Sequence, residues 1–135
     1  MLRETLQQAI NAGAIIVKEY FDKQFKISNK EGINNLVTEV DHKSETAIIN
    51  VIKENFPEHY ILSEEAGEIK QNSEYKWIID PIDGTVNYAN GIPICCVSIA
   101  IEKNGKMLMG AVYNPFLKEL FFAEKNKGAF LNNNP

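Results

Sequence analysis

Apolar residues recur at steps of three and four from the start of the chain. Leu2, Leu6, Ala9, Ile10, Gly13, Ile16, Val17 and Tyr20 share one face, which predicts an amphipathic helix over residues 2–21. Val40, Ser44, Ala47, Ile48, Val51, Ile52 and Phe56 form a cleaner stripe. It predicts a second helix over residues 38–56, stopped by Pro57. Between the two, residues 25–27 and 34–37 read as short strands flanking a turn at 29–32. After Pro57 the period shortens toward two. Residues 60–63 and 76–80 are β-favouring runs, and residues 94–102 (ICCVSIAIE) are apolar almost throughout, as expected of a strand covered on both faces. Asn104-Gly105 predicts a hairpin into 107–113. Asn114-Pro115 marks another turn, with strands at 119–124 and 129–131. Two helices followed by a mostly antiparallel sheet make an α+β arrangement.

Composition narrows the function. With 135 residues the chain has room for one domain. Acids outnumber bases 18 to 14, the net charge is −4 and Arg3 is the one arginine, so no clustered cation favours a nucleic-acid groove. No apolar run approaches the roughly 18 residues of a membrane span. The polar start, MLRETLQQAINAG, does not read as a signal peptide. Adjacent Cys95 and Cys96 cannot build a disulfide framework. A cytoplasmic location is the expectation that follows.

The chemistry concentrates in residues 77–88, WIIDPIDGTVNY. An apolar strand enters a turn with Asp80 and Asp83 three apart. Pro81 restricts φ there and Gly84 relaxes the backbone, so both acids can be aimed at one point. If residues 84–89 begin a helical turn, the Gly84 and Thr85 N–H groups stand unpaired and suit a phosphate. Spacing sets two other acidic loops aside. An EF-hand needs an oxygen side chain where Ile82 stands, and the D-x-D-G-T loop of haloacid-dehalogenase phosphatases has its acids two apart. Upstream, residues 61–67 (ILSEEAG) bring Glu64 and Glu65 to the end of a strand. Residues 36–41 (LVTEVD) precede the second helix, where Thr38-x-x-Asp41 fits a capping-box variant. His42 and His59 lack ligand spacing and are expected at the surface. Cys95 and Cys96 are expected to pack in the core, and Trp77 to anchor the strand before the acids.

Taken together, these segments resemble the inositol monophosphatase family of Mg²⁺-dependent, lithium-sensitive phosphatases. WIIDPIDGTVNY is similar to that family's metal-binding signature almost residue for residue, SEEAG and LVTEVD lie upstream in its order, and the G-A-V-Y and K-G-A-F fragments match its later strands. The T-V-N-Y ending is closer to inositol monophosphatases than to nucleotide-bisphosphate phosphatases, which tend to carry T-K-E-F.

The resemblance implies that Glu64, Asp80 and the Ile82 carbonyl hold a first Mg²⁺, and that Asp80 and Asp83 hold a second, with Asp80 bridging. A third, weaker ion would be assisted by Glu64, and Mn²⁺ is a possible substitute. Asp41 and Thr85 would orient or activate the attacking water, and Gly84 and Thr85 N–H groups would receive the phosphate. Lys30 matches a family lysine near the metals. The implied substrate is a small phosphorylated molecule, inositol monophosphate first, with no nucleic-acid or membrane partner. The physics agrees: carboxylates gathered at one point raise one another's pKa, and hard divalent cations resolve the conflict.

Family members run to roughly twice this length, and a W-D-x-A-A-G-type motif that completes the second metal site in them has no counterpart here. The expectation is therefore the N-terminal, metal-binding half of an αβαβα layered sandwich. Such a half is expected to be weak or inactive alone, to expose apolar surface, and to associate with itself or with a complementing half.

Overall fold

The computed structural model describes residues 1–24 and 30–135, with side chains described at 1–21, 23 and 38–135. Its elements run α1 (Leu2–Gln24), α2 (Lys30–Asn55), β1 (Tyr60–Ser63), β2 (Gly67–Ile69), β3 (Tyr75–Asp83), α3 (Thr85–Ala89), β4 (Cys96–Lys103), β5 (Lys106–Asn114), β6 (Glu119–Glu124) and β7 (Gly128–Leu131). The strands form one sheet in the order β2-β1-β3-β4-β5-β6-β7. Every neighbouring pair is antiparallel except β1 with β3, which are parallel. The α+β expectation holds: helices pack on a mixed seven-stranded sheet.

The helices form as the apolar stripes require and cover one face of that sheet. Leu6, Ile10, Val17, Val40, Ile48 and Ile52 are buried against Trp77, Ile79, Val97, Ile99, Ile101 and Phe122 in a single core. The helices approach closely at Gly13. A Cβ there would lie 2.7 Å from Ile48 Cδ1 and 2.9 Å from Ser44 Oγ, so any side chain would require those neighbours to shift. The Tyr88 hydroxyl donates to the Val17 carbonyl at 2.9 Å and ties α3 to α1. Asn104 and Gly105 both take positive φ (52° and 79°), the conformation a tight hairpin demands.

Several expectations are corrected. Residues 34–37 lie inside α2, which begins at Lys30, so helical hydrogen bonding runs through the segment read as a strand. Thr38 is consequently inside the helix and is no N-terminal cap. The other expected strand, residues 25–27, falls outside the described residues. β2 was not anticipated, three residues being too short to show a period. β4 is fully buried on one face only: Val97, Ile99 and Ile101 face the helices, while Cys96, Ser98, Ala100 and Glu102 are half-exposed on the other. That face also exposes Val112 and Phe121, in keeping with the apolar surface expected of the chain. His59 is buried, stacked between Phe56 at 4.5 Å and Tyr75 at 4.8 Å, with Nδ1 accepting the Trp77 indole N–H at 2.9 Å. Isolated ligand spacing carried no information about an aromatic pocket assembled from the 56–59 turn and β3. Among the described residues, no helix is long and apolar enough to cross a membrane.

Candidate active site

Strand register brings the acids together. β1 and β3 run parallel with Ser63 beside Ile79, so both strands end on the same side, with Glu64 next to Asp80. The Glu64 N–H extends the ladder by donating to the Ile79 carbonyl at 3.2 Å. Asp80 and Asp83 are an odd number of residues apart and in a regular strand would point to opposite faces. Against β4, however, Asp80 pairs with Ser98 and Asp83 with Cys96, three steps on one strand against two on the other. This bulge returns Asp83 to the face of Asp80. Ser44 steadies the turn from α2, donating its hydroxyl to the Pro81 carbonyl at 3.0 Å.

After the bulge, Gly84 adopts φ 92°, ψ 42° ahead of α3. A Cβ there would be strained by that φ and would meet the Ile94 carbonyl oxygen at 3.1 Å, so glycine fits on both counts. The Asn87 side-chain amide donates to the same Ile94 oxygen at 2.9 Å and holds α3 in place. Thr85 opens that helical turn with its side chain half-buried. The Ile82 side chain is buried, leaving its backbone as the part available to the site. That backbone lies close enough to the Asp80 carboxylate to favour the charged form.

Asp41 enters from α2, buried, with the Glu65, Glu64 and Glu45 carboxylates near enough to disfavour its charge. Burial first, then those three acids, push its carboxyl up to about 7. Asp80 is also pushed up to about 7, mainly by burial and then by its hydrogen bond with Glu64 and by the Glu64 and Asp83 charges. Asp80 Oδ1 is buried without a hydrogen-bond partner, the one such side-chain atom among the described residues. Beside it a cavity of about 510 Å³ opens onto the uncovered face of the sheet between Leu62, Glu64, Ile78 and Ser98.

Asp41, Glu64, Asp80 and Asp83 thus occupy one neighbourhood, while Lys30 lies outside the described side chains. As the side chains stand, no set of three or more His, Cys, Asp or Glu among the described residues is arranged to hold an ion. The donor chemistry nevertheless fits a hard divalent cation. The donors are all oxygens, two of the acids are held near neutrality by burial and like charge, and one buried carboxylate oxygen lacks any partner.

Two neighbours escaped the sequence reading. Glu45 is buried, and its Oε2 accepts from Ser63 Oγ at 2.7 Å and Ala66 N–H at 2.8 Å. Its position one helical turn after Asp41 was the available signal. Cys96, expected to pack in the core, is half-buried at the site, its Sγ 3.9 Å from Asp83 Oδ2. Burial and the neighbouring acids push its thiol up to about 11. Cys95 is buried as expected.

A sequence profile of the inositol monophosphatase family matches residues 1–135. The chain is 43% identical over 133 residues to the Nus factor SuhB of Haemophilus influenzae, covering 98% of this chain and 50% of that protein. It is 42% identical over 130 residues to the fructose-1,6-bisphosphatase/inositol-1-monophosphatase of Aquifex aeolicus, covering 96% and 49%. The crystal structure of inositol monophosphatase II from Staphylococcus aureus MSSA476 superposes with a TM-score of 0.86 at 31% identity, over 99% of this chain and 49% of that one. The chain spans about half the length of the curated relatives it matches.

Proposed function

The chain belongs to the inositol monophosphatase family, and from that premise we propose that it forms the metal-binding half of a Mg²⁺-dependent phosphomonoesterase. Inositol monophosphate is the first substrate to test, in the cytoplasm. The observation that carries this reading is the buried, unpartnered Asp80 Oδ1 within a group of acids, two of which, Asp41 and Asp80, burial and like charge push up to about 7.

Glu64, Asp80, Asp83 and the Ile82 carbonyl would hold the cation. Bound there, it would screen the phosphate's charge and lower the pKa of a water molecule. The protein's own groups do the rest. Asp41, buried beside Glu64, takes the proton of the attacking water, with the Thr85 hydroxyl orienting that water. Gly84 and Thr85 offer backbone N–H groups to the phosphate oxygens, in a turn whose positive φ glycine supplies. The half-length match leaves part of the site to the remainder of a family enzyme, so this chain alone is expected to hydrolyse little.

The test is phosphate release from inositol 1-phosphate in Mg²⁺, for the chain alone and for the chain mixed with the remaining half of a relative. Release is expected from the mixture, with a loss of 100-fold or more in Asp83→Asn. An Asp83→Asn mixture as active as the parent would overturn the site. A fructose bisphosphate is the second substrate to try, given the Aquifex relative's name.

A second reading follows from the relative named as a Nus factor: a non-catalytic module that keeps the fold and acts through a protein partner. Thermal stability that ignores Mg²⁺, Mn²⁺ and phosphate alike would favour it.

A further inference from the structure

Glu64 opens the 64–66 turn, its N–H still joined to the Ile79 carbonyl at 3.2 Å and its carboxylate meeting Asp80. Glu64, Glu65 and Ala66 are all exposed, so no packing of theirs fixes where the Glu64 carboxylate points. The turn is held from beneath. Glu45 Oε2 accepts from the Ser63 hydroxyl at 2.7 Å and from the Ala66 N–H at 2.8 Å, and so grips the residues on both sides of Glu64-Glu65 with a single oxygen. Glu45 and Ser63 are both buried. Removing a carboxylate from water is costly, and a buried one persists where donors satisfy it. Here those donors come from the one turn that delivers Glu64 to Asp80.

We propose that Glu45 is a positioning residue of the candidate metal site: its buried carboxylate clamps the 63–66 turn so that Glu64 faces Asp80. This rests on the reading of the site given above. The chain of support runs from α2, rigid in the core through Ile48 and Ile52, to Glu45, to the turn, to Glu64 and so to Asp80. α2 also carries Asp41 one turn earlier, so the same rigid helix sets both Asp41 and the turn opposite it. An outer partner of this kind typically changes metal affinity by 10–100-fold when removed.

Mn²⁺ binding to the 135-residue chain, followed by electron paramagnetic resonance, tests the proposal without reference to activity. Glu45→Ala is expected to weaken Mn²⁺ at least tenfold. Glu45→Gln keeps an oxygen acceptor at the same reach and is expected to restore binding to within about threefold of the parent. Amide hydrogen exchange is expected to speed up at Glu65 and Ala66 in Glu45→Ala and not in Glu45→Gln. Ile52→Ala, a core truncation on the same helix, is expected to lower stability while leaving Mn²⁺ affinity as it was.

Glu45→Ala binding Mn²⁺ like the parent overturns the proposal and leaves the site standing. Equal weakening in Ile52→Ala also overturns it, because loosened packing then explains the loss. A parent chain indifferent to Mn²⁺ overturns the site reading and the proposal with it. Should Glu45→Ala not fold, Ser63→Ala decides. That variant removes one of the two donors and keeps the carboxylate, so threefold or greater weakening upholds the clamp and unchanged affinity overturns it.

Discussion

Strand β3 holds two buried polar groups three residues apart that are treated in opposite ways. The Trp77 indole N–H, on the helix-covered face, has a built partner in His59 Nδ1, itself stacked between aromatic rings. Asp80 Oδ1, on the open face, has none. An unsatisfied buried polar atom costs about 1–3 kcal/mol. The fold avoids that cost at Trp77 and bears it at Asp80, among acids that raise it further. On the function proposed above, the difference separates a residue kept for stability from one kept for a ligand.

The sharpest way to break the comparison is Trp77→Ala. It removes a fully buried side chain and leaves the buried His59 Nδ1 without its donor, so a loss of about 3–5 kcal/mol is expected in urea unfolding. A loss under about 1 kcal/mol would show that the aromatic pocket does not hold the strand.

At the other end of the contrast, Asp80→Asn is expected to stabilise the cation-free chain by about 1 kcal/mol, roughly 4 °C in melting temperature. It removes one buried like charge and gives Glu64 an amide donor. The same variant is expected to lose the thermal shift that Mg²⁺ or Mn²⁺ gives the parent. A destabilised Asp80→Asn that still responds to Mn²⁺ would put Asp80 on the structural side.

The smallest expected effect concerns pH. Asp41 and Asp80 have folded-state pKa values raised from 3.8 to about 7. The folded chain therefore holds more protons than the unfolded one between those values, and its stability falls as pH rises through about 7. Burial pulls His59 below its ordinary 6.5, which opposes the trend toward the acid end of the range, where the unfolded histidine binds the proton and the folded one does not. Between pH 8 and 6.5 the cation-free chain is expected to gain stability on acidification, by less than Asp80→Asn gains once solvent screening is allowed for, and Asp41→Asn to lessen the slope. A melting temperature independent of pH across that window would show that Asp41 and Asp80 ionise as freely in the folded chain as in the unfolded one.

Much of this was legible along the chain, because periodicity is local. The stripe through Leu6, Ile10 and Val17 and the one through Val40, Ile48 and Ile52 became the buried faces of α1 and α2, and Asn104-Gly105 became the hairpin turn. The turn residues Pro81 and Gly84 announced an acidic loop before a short helix, which is what β3 and α3 form. The segment at 34–37 was misread, since a few β-favouring residues carry little information when the helix continues through them.

Residue order alone determined that acids would stand at strand ends beside a glycine turn, because turn chemistry and hydrophobic period are properties of neighbours in sequence. Tertiary structure decided that those acids share one neighbourhood. The bulge turns Asp83 back to the side of Asp80, the parallel register of β1 with β3 sets Glu64 next to it, and α2 brings Asp41 and Glu45 over them. Each of these depends on pairing between segments far apart along the chain, where register and packing, and no local preference, select the face a side chain meets.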